Sequence, residues 1–308
     1  MMKYLTAALL GASTFALDAP AMTQPLDLAV LDSKPVPAIG PGGQSINELS
    51  GLAWDADEKL LYAVSDDGVL HHFSIEVGDG KIVALEPVLS VSLNTGATPA
   101  TVNAEGLAAV NGDNRKAGDT ELLVAFEDGP AIHRLRSDGA SLGAVQLPEA
   151  LADPARYNEP NSRLEAVAVT AGQGIVTAPE EAMMGEPGDT HTIHGLDGKS
   201  WSFATFQPKR SNLKAIEPMP DGRLLLLERT REQKGGPSVG RLRVLDPKTC
   251  GGDAPCAVEN LDPGSSPLLN DNFEGMASLG GGLYLLVTDK TRKEAPGMFV
   301  LVSVKPRP

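Results

Sequence analysis

Short apolar runs that are opened by polar residues recur along this chain, and each is followed by a second apolar run that ends at an acid. The clearest copy starts at Asn272-Phe273-Glu274-Gly275-Met276, and its second run, residues 283–288, is followed by Asp289. Four further copies lie upstream at intervals of roughly 50 to 60 residues, a period that is typical of propellers and solenoids.

Turn residues divide each copy into short apolar segments, which predict short strands. The fourth copy has predicted strands at 213–219, 223–227, 241–245 and 257–261. The fifth copy has only three, and the apolar run 28–31 can supply the missing outer strand. The pattern predicts an all-β fold, a β-propeller of five four-stranded blades closed by an N-terminal strand. Six blades is the alternative, because degenerate blades can hide in long stretches between the copies.

The composition agrees with one large all-β domain, which we place at residues 26–308. Apolar residues make up 42% of the 308 positions, and 33 Gly and 24 Pro supply many turns. The formal net charge of -14 argues against nucleic acid as a partner, because phosphate binding needs a basic face. The same charge suits a protein whose clustered acids hold cations. We expect a monomer.

The N-terminus has the pattern of a secretory signal peptide, predicted over residues 1–21. A basic start at Lys3 precedes the apolar stretch 5–17 and a small-residue cleavage site, Ala19-Pro20-Ala21. No later segment is long and apolar enough to cross a membrane. We therefore expect a periplasmic or secreted protein. In that compartment Cys250 and Cys256 are expected to form a disulfide.

Polar residues at the start of each first strand and at the end of each second strand are expected to meet at one mouth of the propeller channel. Carboxylate and amide oxygens are the ligands that Ca²⁺ prefers, so Ca²⁺ is the candidate cofactor. The candidate metal ligands are Asp66, Glu127, Glu180, Glu228, Asp289, Asn103 and Asn272. The candidate cations for an anionic or ester substrate are Arg163, Lys214, Arg229 and Lys290. The alternative is that these acids only end strands and bind turn amides.

Four of the repeated motifs resemble the phytase-like family ("esterase-like activity of phytase") of exported bacterial proteins. They are Leu49-Ser50-Gly51-Leu52-Ala53, Asn103-Ala104-Glu105-Gly106-Leu107, Ser162-Arg163-Leu164-Glu165-Ala166 and Asn272-Phe273-Glu274-Gly275-Met276. The resemblance covers about residues 26–304. It implies a propeller and hydrolysis of a phosphate or carboxylic ester, with catalytic carboxylates at the matched positions Glu105, Glu165 and Glu274. The corresponding positions in the other two copies are Ser50 and Lys214, and we call this set of five positions the acidic column. Because Ser50 and Lys214 interrupt it, a fully symmetric metal ring is not expected.

Three functions remain open from the sequence. The first is an exported phytase-like or esterase-like hydrolase that acts on a phosphate or other ester at an acidic, Ca²⁺-binding channel mouth. The second is a non-catalytic propeller that binds a ligand or a protein at the same mouth. The third is a metal-dependent, lactonase-like enzyme on a six-bladed propeller.

Overall fold

Five antiparallel sheets of four strands form a ring in the computed structural model of the chain, which describes residues 24–95, 103–233, 235–250, 255–264, 266–290 and 296–307. The strands in chain order are β1 (Leu26–Pro35), β2 (Leu49–Asp55), β3 (Leu60–Ser65), β4 (Val69–Gly78), β5 (Lys81–Ser92), β6 (Ala104–Val110), β7 (Glu121–Phe126), β8 (Ala131–Arg136), β9 (Ser141–Val145), β10 (Leu164–Thr170), β11 (Gly174–Pro179), β12 (Thr190–Gly195), β13 (Ser200–Ala204), β14 (Ser211–Pro218), β15 (Leu224–Arg231), β16 (Ser238–Leu245), β17 (Val258–Asn260), β18 (Phe273–Gly280), β19 (Leu283–Thr288) and β20 (Met298–Pro306). Strands β2 to β17 form blades one to four, each from four consecutive strands.

Blade five is completed by the first strand of the chain. Its strand order is β1-β20-β19-β18, and β1 pairs antiparallel with β20 from Leu26 opposite Pro306 to Pro35 opposite Met298. The predicted five-bladed propeller and its closure by the N-terminal strand are confirmed, and the six-bladed alternative is wrong for the described residues. Residues 150–163 contain part of a short helix, Glu149–Ala152, and two 3-10 turns instead of a further strand.

The first strands of the blades line the axis and approach one another closely. Strands β2, β6, β10, β14 and β18 contact their neighbours in that order, and β18 contacts β2 to close the ring. A Cβ on Gly51 would lie 2.4 Å from the backbone oxygen of Glu105, and one on Gly106 would lie 2.7 Å from that of Glu165. Glycine is therefore required at these positions by the neighbouring backbone.

Apolar side chains from the inner strands plug the middle of the channel. Only about 10 Å³ of space remains there. The plug, two residues beyond the acidic column in each blade, consists of Leu52, Leu107, Val167, Ile216 and Met276. The two ends of the channel are therefore separate mouths.

The core lies between neighbouring blades. One cluster joins Leu61 and Phe73 of blade one to Leu285 and Phe299 of blade five. The rings of Phe73 and Phe299 meet edge to face, with 5.5 Å between their centroids, an arrangement that aromatic pairs favour. Lateral packing of this kind fixes the blades and leaves polar side chains free to line the two mouths.

Cys250 and Cys256 form the predicted disulfide. The backbone N–H of Cys256 donates to the carbonyl oxygen of Ser202 at 2.6 Å, so the small loop is attached to blade three. The predicted signal peptide, residues 1–21, lies outside the described residues. Among the described residues, the helices are too short or too polar to cross a membrane.

Candidate functional site

Five equivalent β-bulges create the site. The pairing register between the first and second strands shifts near the start of each blade. The extra residue of each first strand is the one that belongs to the acidic column. A bulge leaves one residue outside the ladder and redirects its side chain, and bulges are common beside active sites. The column residues are Ser50, Glu105, Glu165, Lys214 and Glu274. All five line one end of the channel.

This end of the channel is a cavity of about 240 Å³, which we call the acidic mouth. Among the described residues, its lining has seven carboxylates and only two cationic side chains. The lining residues are Ser50, Asp66, Asn103, Glu105, Glu127, Asn161, Glu165, Glu180, Lys214, Arg229, Glu274 and Asp289. Carboxyl groups therefore outnumber cations among the described residues of the mouth, as the meeting of the two sequence columns predicts.

Both cations are bound to carboxylates on one side of the mouth. The Lys214 ammonium lies 2.5 Å from Glu165 Oε1 and 2.8 Å from Glu274 Oε2, and it also contacts Glu180. Arg229 lies 2.7 Å from Glu180 Oε1 and contacts Glu274 as well. Burial alone would lower the pKa of Lys214, but the three carboxylates outweigh it and hold that pKa well above its usual value. Both cations are therefore charged and already paired.

Other acids of the mouth have no such partners. Asp66, Glu127 and Asp289 form no ion pair with a Lys or Arg in the part of the chain that is described. Burial, reinforced by nearby carboxylates, raises the pKa of Asp66 to about 6 and that of Glu127 and Asp289 to about 7. Their hydrogen bonds come from neutral groups, such as the Ser50 hydroxyl, which donates to Asp66 at 2.5 Å.

Glu105 is the least compensated carboxyl of the mouth. Only 9% of its surface is exposed, and its side chain has no hydrogen bond or ion pair with the described residues. Burial, followed by repulsion from Asp66, raises the pKa of Glu105 well above the usual value. A buried acid without a partner is costly, and a cation would remove that cost.

The mouth contains suitable ligands for a hard cation. One carboxylate oxygen from each of Glu127, Glu165 and Glu180 lies within 4.8 Å of the others. Lys214 contacts Oε1 of both Glu165 and Glu180, and each carboxylate has a second oxygen. The arrangement could therefore hold a metal ion, and oxygen-only ligands favour Ca²⁺ over softer metals.

Comparison with known proteins agrees with this geometry. A family model described as "Phytase-like: Esterase-like activity of phytase" matches residues 44–290. The chain belongs to the phytase-like family. A search of curated proteins gave no match.

The structure of this phytase-like protein places most of the predicted site residues at the acidic mouth. The three predicted catalytic carboxylates line it, as do Asp66, Glu127, Glu180, Asp289 and Asn103 of the predicted ligands. Asn272 lies just behind the lining, where its side-chain amide donates to Glu274 at 2.9 Å and to Asp289 at 3.3 Å. Asn161, from a 3-10 turn, also lines the mouth, and nothing in its sequence context predicts this.

Glu228 does not line the mouth of this phytase-like protein. The second strand of blade four extends to Arg231, beyond its predicted end at residue 227, so Glu228 and Arg229 lie inside a strand. Neighbouring residues of a strand point to opposite faces. Arg229 therefore reaches the mouth, while Glu228 is fully buried against Arg243 and accepts a hydrogen bond from the Phe206 N–H at 2.9 Å.

Only two of the four predicted substrate-binding cations line the mouth. Lys214 and Arg229 line the mouth, whereas Arg163 and Lys290 are absent from its lining. The Arg163 backbone N–H donates to Glu127 at 3.1 Å. Lys290 forms an ion pair with Asp271 at 2.6 Å. None of the four is an unpaired cation facing the cavity.

Proposed function

We propose that this phytase-like protein is a Ca²⁺-dependent hydrolase that cleaves a phosphate or other anionic ester at the acidic mouth. The observation that carries this proposal is Glu105, which is buried and has no hydrogen bond or ion pair with the described residues, in a cavity where the described lining has seven carboxylates and two cations. Such a site favours a bound cation and contains a carboxylate that is available for proton transfer.

An anionic substrate needs a positive charge that the described side chains do not supply. Lys214 and Arg229 are engaged with carboxylates, so a phosphate group would meet a negative surface. We assign Glu127, Glu165 and Glu180 as the residues that hold the ion, since their oxygens converge. When bound, Ca²⁺ would neutralise substrate oxygens and favour attack by water. Of the remaining predicted ligands, Asp66, Asp289 and Asn103 line the same mouth, and Asn272 donates to Glu274 and Asp289 from behind it.

Glu105 is assigned as the general base. It would accept a proton from the attacking water as the new bond to phosphorus or carbonyl carbon forms and the alcohol leaves. Its raised pKa makes it a better proton acceptor than an ordinary glutamate. Lys214 and Arg229 are positioning residues, because they hold Glu165, Glu180 and Glu274 in place. Glu228, paired with Arg243, has no role in this mechanism.

The decisive experiment is hydrolysis of p-nitrophenyl phosphate, bis-p-nitrophenyl phosphate and p-nitrophenyl acetate, with Ca²⁺ and with EDTA. We expect EDTA to abolish activity and Glu105→Gln to lower kcat by about 10² to 10⁴, the usual contribution of a general base. Glu121→Gln is the matched control, because it removes one carboxylate of the same blade that pairs with Arg134 outside the mouth.

Activity that survives in Glu105→Gln, or in EDTA, would contradict this mechanism. If all three esters are stable but Ca²⁺ still raises the melting temperature, the protein is a binding propeller instead. Hydrolysis of a simple lactone alone would favour the lactonase-like alternative, although that hypothesis was tied to six blades.

We also propose export to the periplasm or the exterior, with removal of residues 1–21. The N-terminal pattern and the Cys250–Cys256 disulfide support this proposal. N-terminal sequencing of protein recovered from the periplasm or medium should begin near residue 22, and light scattering should give a monomer. A chain that retains Met1 inside the cell would refute the export.

A further inference from the structure

The end of the channel opposite the acidic mouth contains a second cavity, of about 90 Å³. We call it the cup. It is formed where the inner strands end and is separated from the acidic mouth by the apolar plug. Nothing in the proposed hydrolysis uses it.

One residue breaks the symmetry of the cup. The position three residues beyond the acidic column is alanine in four blades, namely Ala53, Ala108, Ala168 and Ala277. In blade four the same position is Glu217, whose side chain lines the cavity. Alanine is sufficient to build this part of the ring, so packing alone does not call for a carboxylate there.

Glu217 is the single carboxylate among the described residues that line the cup. It has no ion pair with a described Lys or Arg, and burial raises its pKa to about 8 although the Ser278 N–H acts in the opposite direction. Arg223, which like Glu217 acts electrostatically on Tyr284, is engaged with Asp221 at 2.8 Å. The carboxyl therefore lacks a counter-ion.

Apart from Glu217 and Ser278, the residues of the lining are apolar in type. They consist of small alanine side chains together with Trp54, Val169 and Pro218, and Ser278 adds the one hydroxyl. An indole wall favours organic cations over hydrated ones. The cup thus combines one negative group with a few apolar side chains that methyl or methylene groups can contact.

Other classes of ligand fit this lining poorly. Ca²⁺ takes six to eight oxygens, and the cup offers one carboxylate and one hydroxyl. An anion would find no cation in the described lining. An uncharged apolar molecule would leave the Glu217 carboxylate without a counter-ion.

We propose that the cup binds a small organic ammonium ion, with Glu217 as its counter-ion and Trp54 and the alanines as its apolar wall. An apolar cavity of about 150 Å³ accommodates a six-carbon ring, so the cup is suited to a head group of about five non-hydrogen atoms. Tetramethylammonium has that size and charge and is the probe we choose.

Binding can be followed through Trp54, because the chain has only one other tryptophan, Trp201. The Trp201→Phe variant would be titrated with tetramethylammonium chloride in excess Ca²⁺, which occupies the acidic mouth, and the titration repeated by calorimetry. Sodium chloride controls for ionic strength, and tert-butyl alcohol is the uncharged probe of similar shape. We expect saturable binding of the ammonium ion only.

Two substitutions test the counter-ion. Glu217→Gln and Glu217→Ala should each weaken binding at least tenfold, and the second is expected to fold because it completes the ring of alanines. Glu121→Gln removes a charge elsewhere and should leave the affinity unchanged. Absence of saturable binding in both measurements, equal binding of tert-butyl alcohol, or unchanged affinity in the two Glu217 variants would each overturn the proposal.

Discussion

The charge of the acidic mouth makes a quantitative prediction about the response of the protein to Ca²⁺. With EDTA, the seven carboxylates that line the mouth share two cations. Occupation of the site by Ca²⁺ should therefore stabilise the folded state. If the free Ca²⁺ concentration is 100 times the dissociation constant, linkage gives about 2.7 kcal/mol. For a domain of this size that corresponds to a rise of roughly 5 to 10 °C in Tm.

The size of this Ca²⁺ effect should depend on pH. Asp66 has a pKa of about 6, and Glu127 and Asp289 have pKa values of about 7. These values exceed the ordinary ones near 4, so the acids bind protons more tightly in the folded than in the unfolded state. Without Ca²⁺, stability should therefore fall as the pH rises from about 4 to about 7. Ca²⁺ competes with those protons, so the gap between Tm in Ca²⁺ and in EDTA should open over the same interval.

The assay is thermal unfolding by circular dichroism at pH 5.5 and pH 8, in Ca²⁺ and in EDTA. We expect a small difference at pH 5.5 and the full difference at pH 8. Glu127→Gln should reduce the difference at pH 8, whereas Glu121→Gln, whose carboxylate pairs with Arg134 outside the mouth, should retain it. Equal Tm values in Ca²⁺ and EDTA at pH 8 would refute the metal site. An undiminished difference in Glu127→Gln would refute its location.

Two substitutions test the framework around the mouth by urea unfolding. Lys214→Met should destabilise the protein by about 3 to 5 kcal/mol, because it leaves buried carboxylates without their cation. The loss should be smaller at pH 5.5. The control is Lys199→Met, which removes the cation of an exposed pair with Asp197. Gly106→Ala should cost about 1 to 3 kcal/mol, since its Cβ would lie 2.7 Å from a neighbouring backbone oxygen, whereas Gly172→Ala meets nothing within 4 Å. A loss no larger than that of its control would contradict either prediction.

The strands could be predicted from the sequence because turn residues mark their ends. The predicted segments 60–65 and 121–126 coincide with β3 (Leu60–Ser65) and β7 (Glu121–Phe126), each followed by an acid and a turn. Closure by the N-terminal run could also be predicted, since a blade with three strands would leave an open edge. These features depend on local pattern and on the count of strands, both of which a sequence contains.

The bulges and the pairing of charges could not be predicted in the same way. A shift of register is decided by packing against the neighbouring blade, and no turn residue marks it. The prediction that Glu228 lies at the mouth requires the second strands of all blades to end at equivalent residues. Strand β15 instead continues to Arg231, and Glu228 lies opposite Leu213 as Ser65 lies opposite Leu49, so Arg229 occupies the position that Asp66 has in blade one. The sequence also indicates which cations lie near the acids, but not that Lys214 is bound by three of them.

The two channel ends of this propeller each contain a position where the residue differs in charge from its counterparts in the other blades. The repeated glycines Gly51, Gly106 and Gly275 serve packing, because a Cβ at each would lie less than 3 Å from the backbone of the neighbouring inner strand. Lys214 interrupts the acidic column and pairs with Glu165, Glu180 and Glu274 from within, which leaves Asp66, Glu105, Glu127 and Asp289 without a cationic partner among the described residues. Glu217 likewise interrupts a ring of alanines at the other end of the channel. The carboxylates of the mouth compensate Lys214, whereas Glu217 has no cationic partner among the described residues, so the second departure is the one where a ligand is expected.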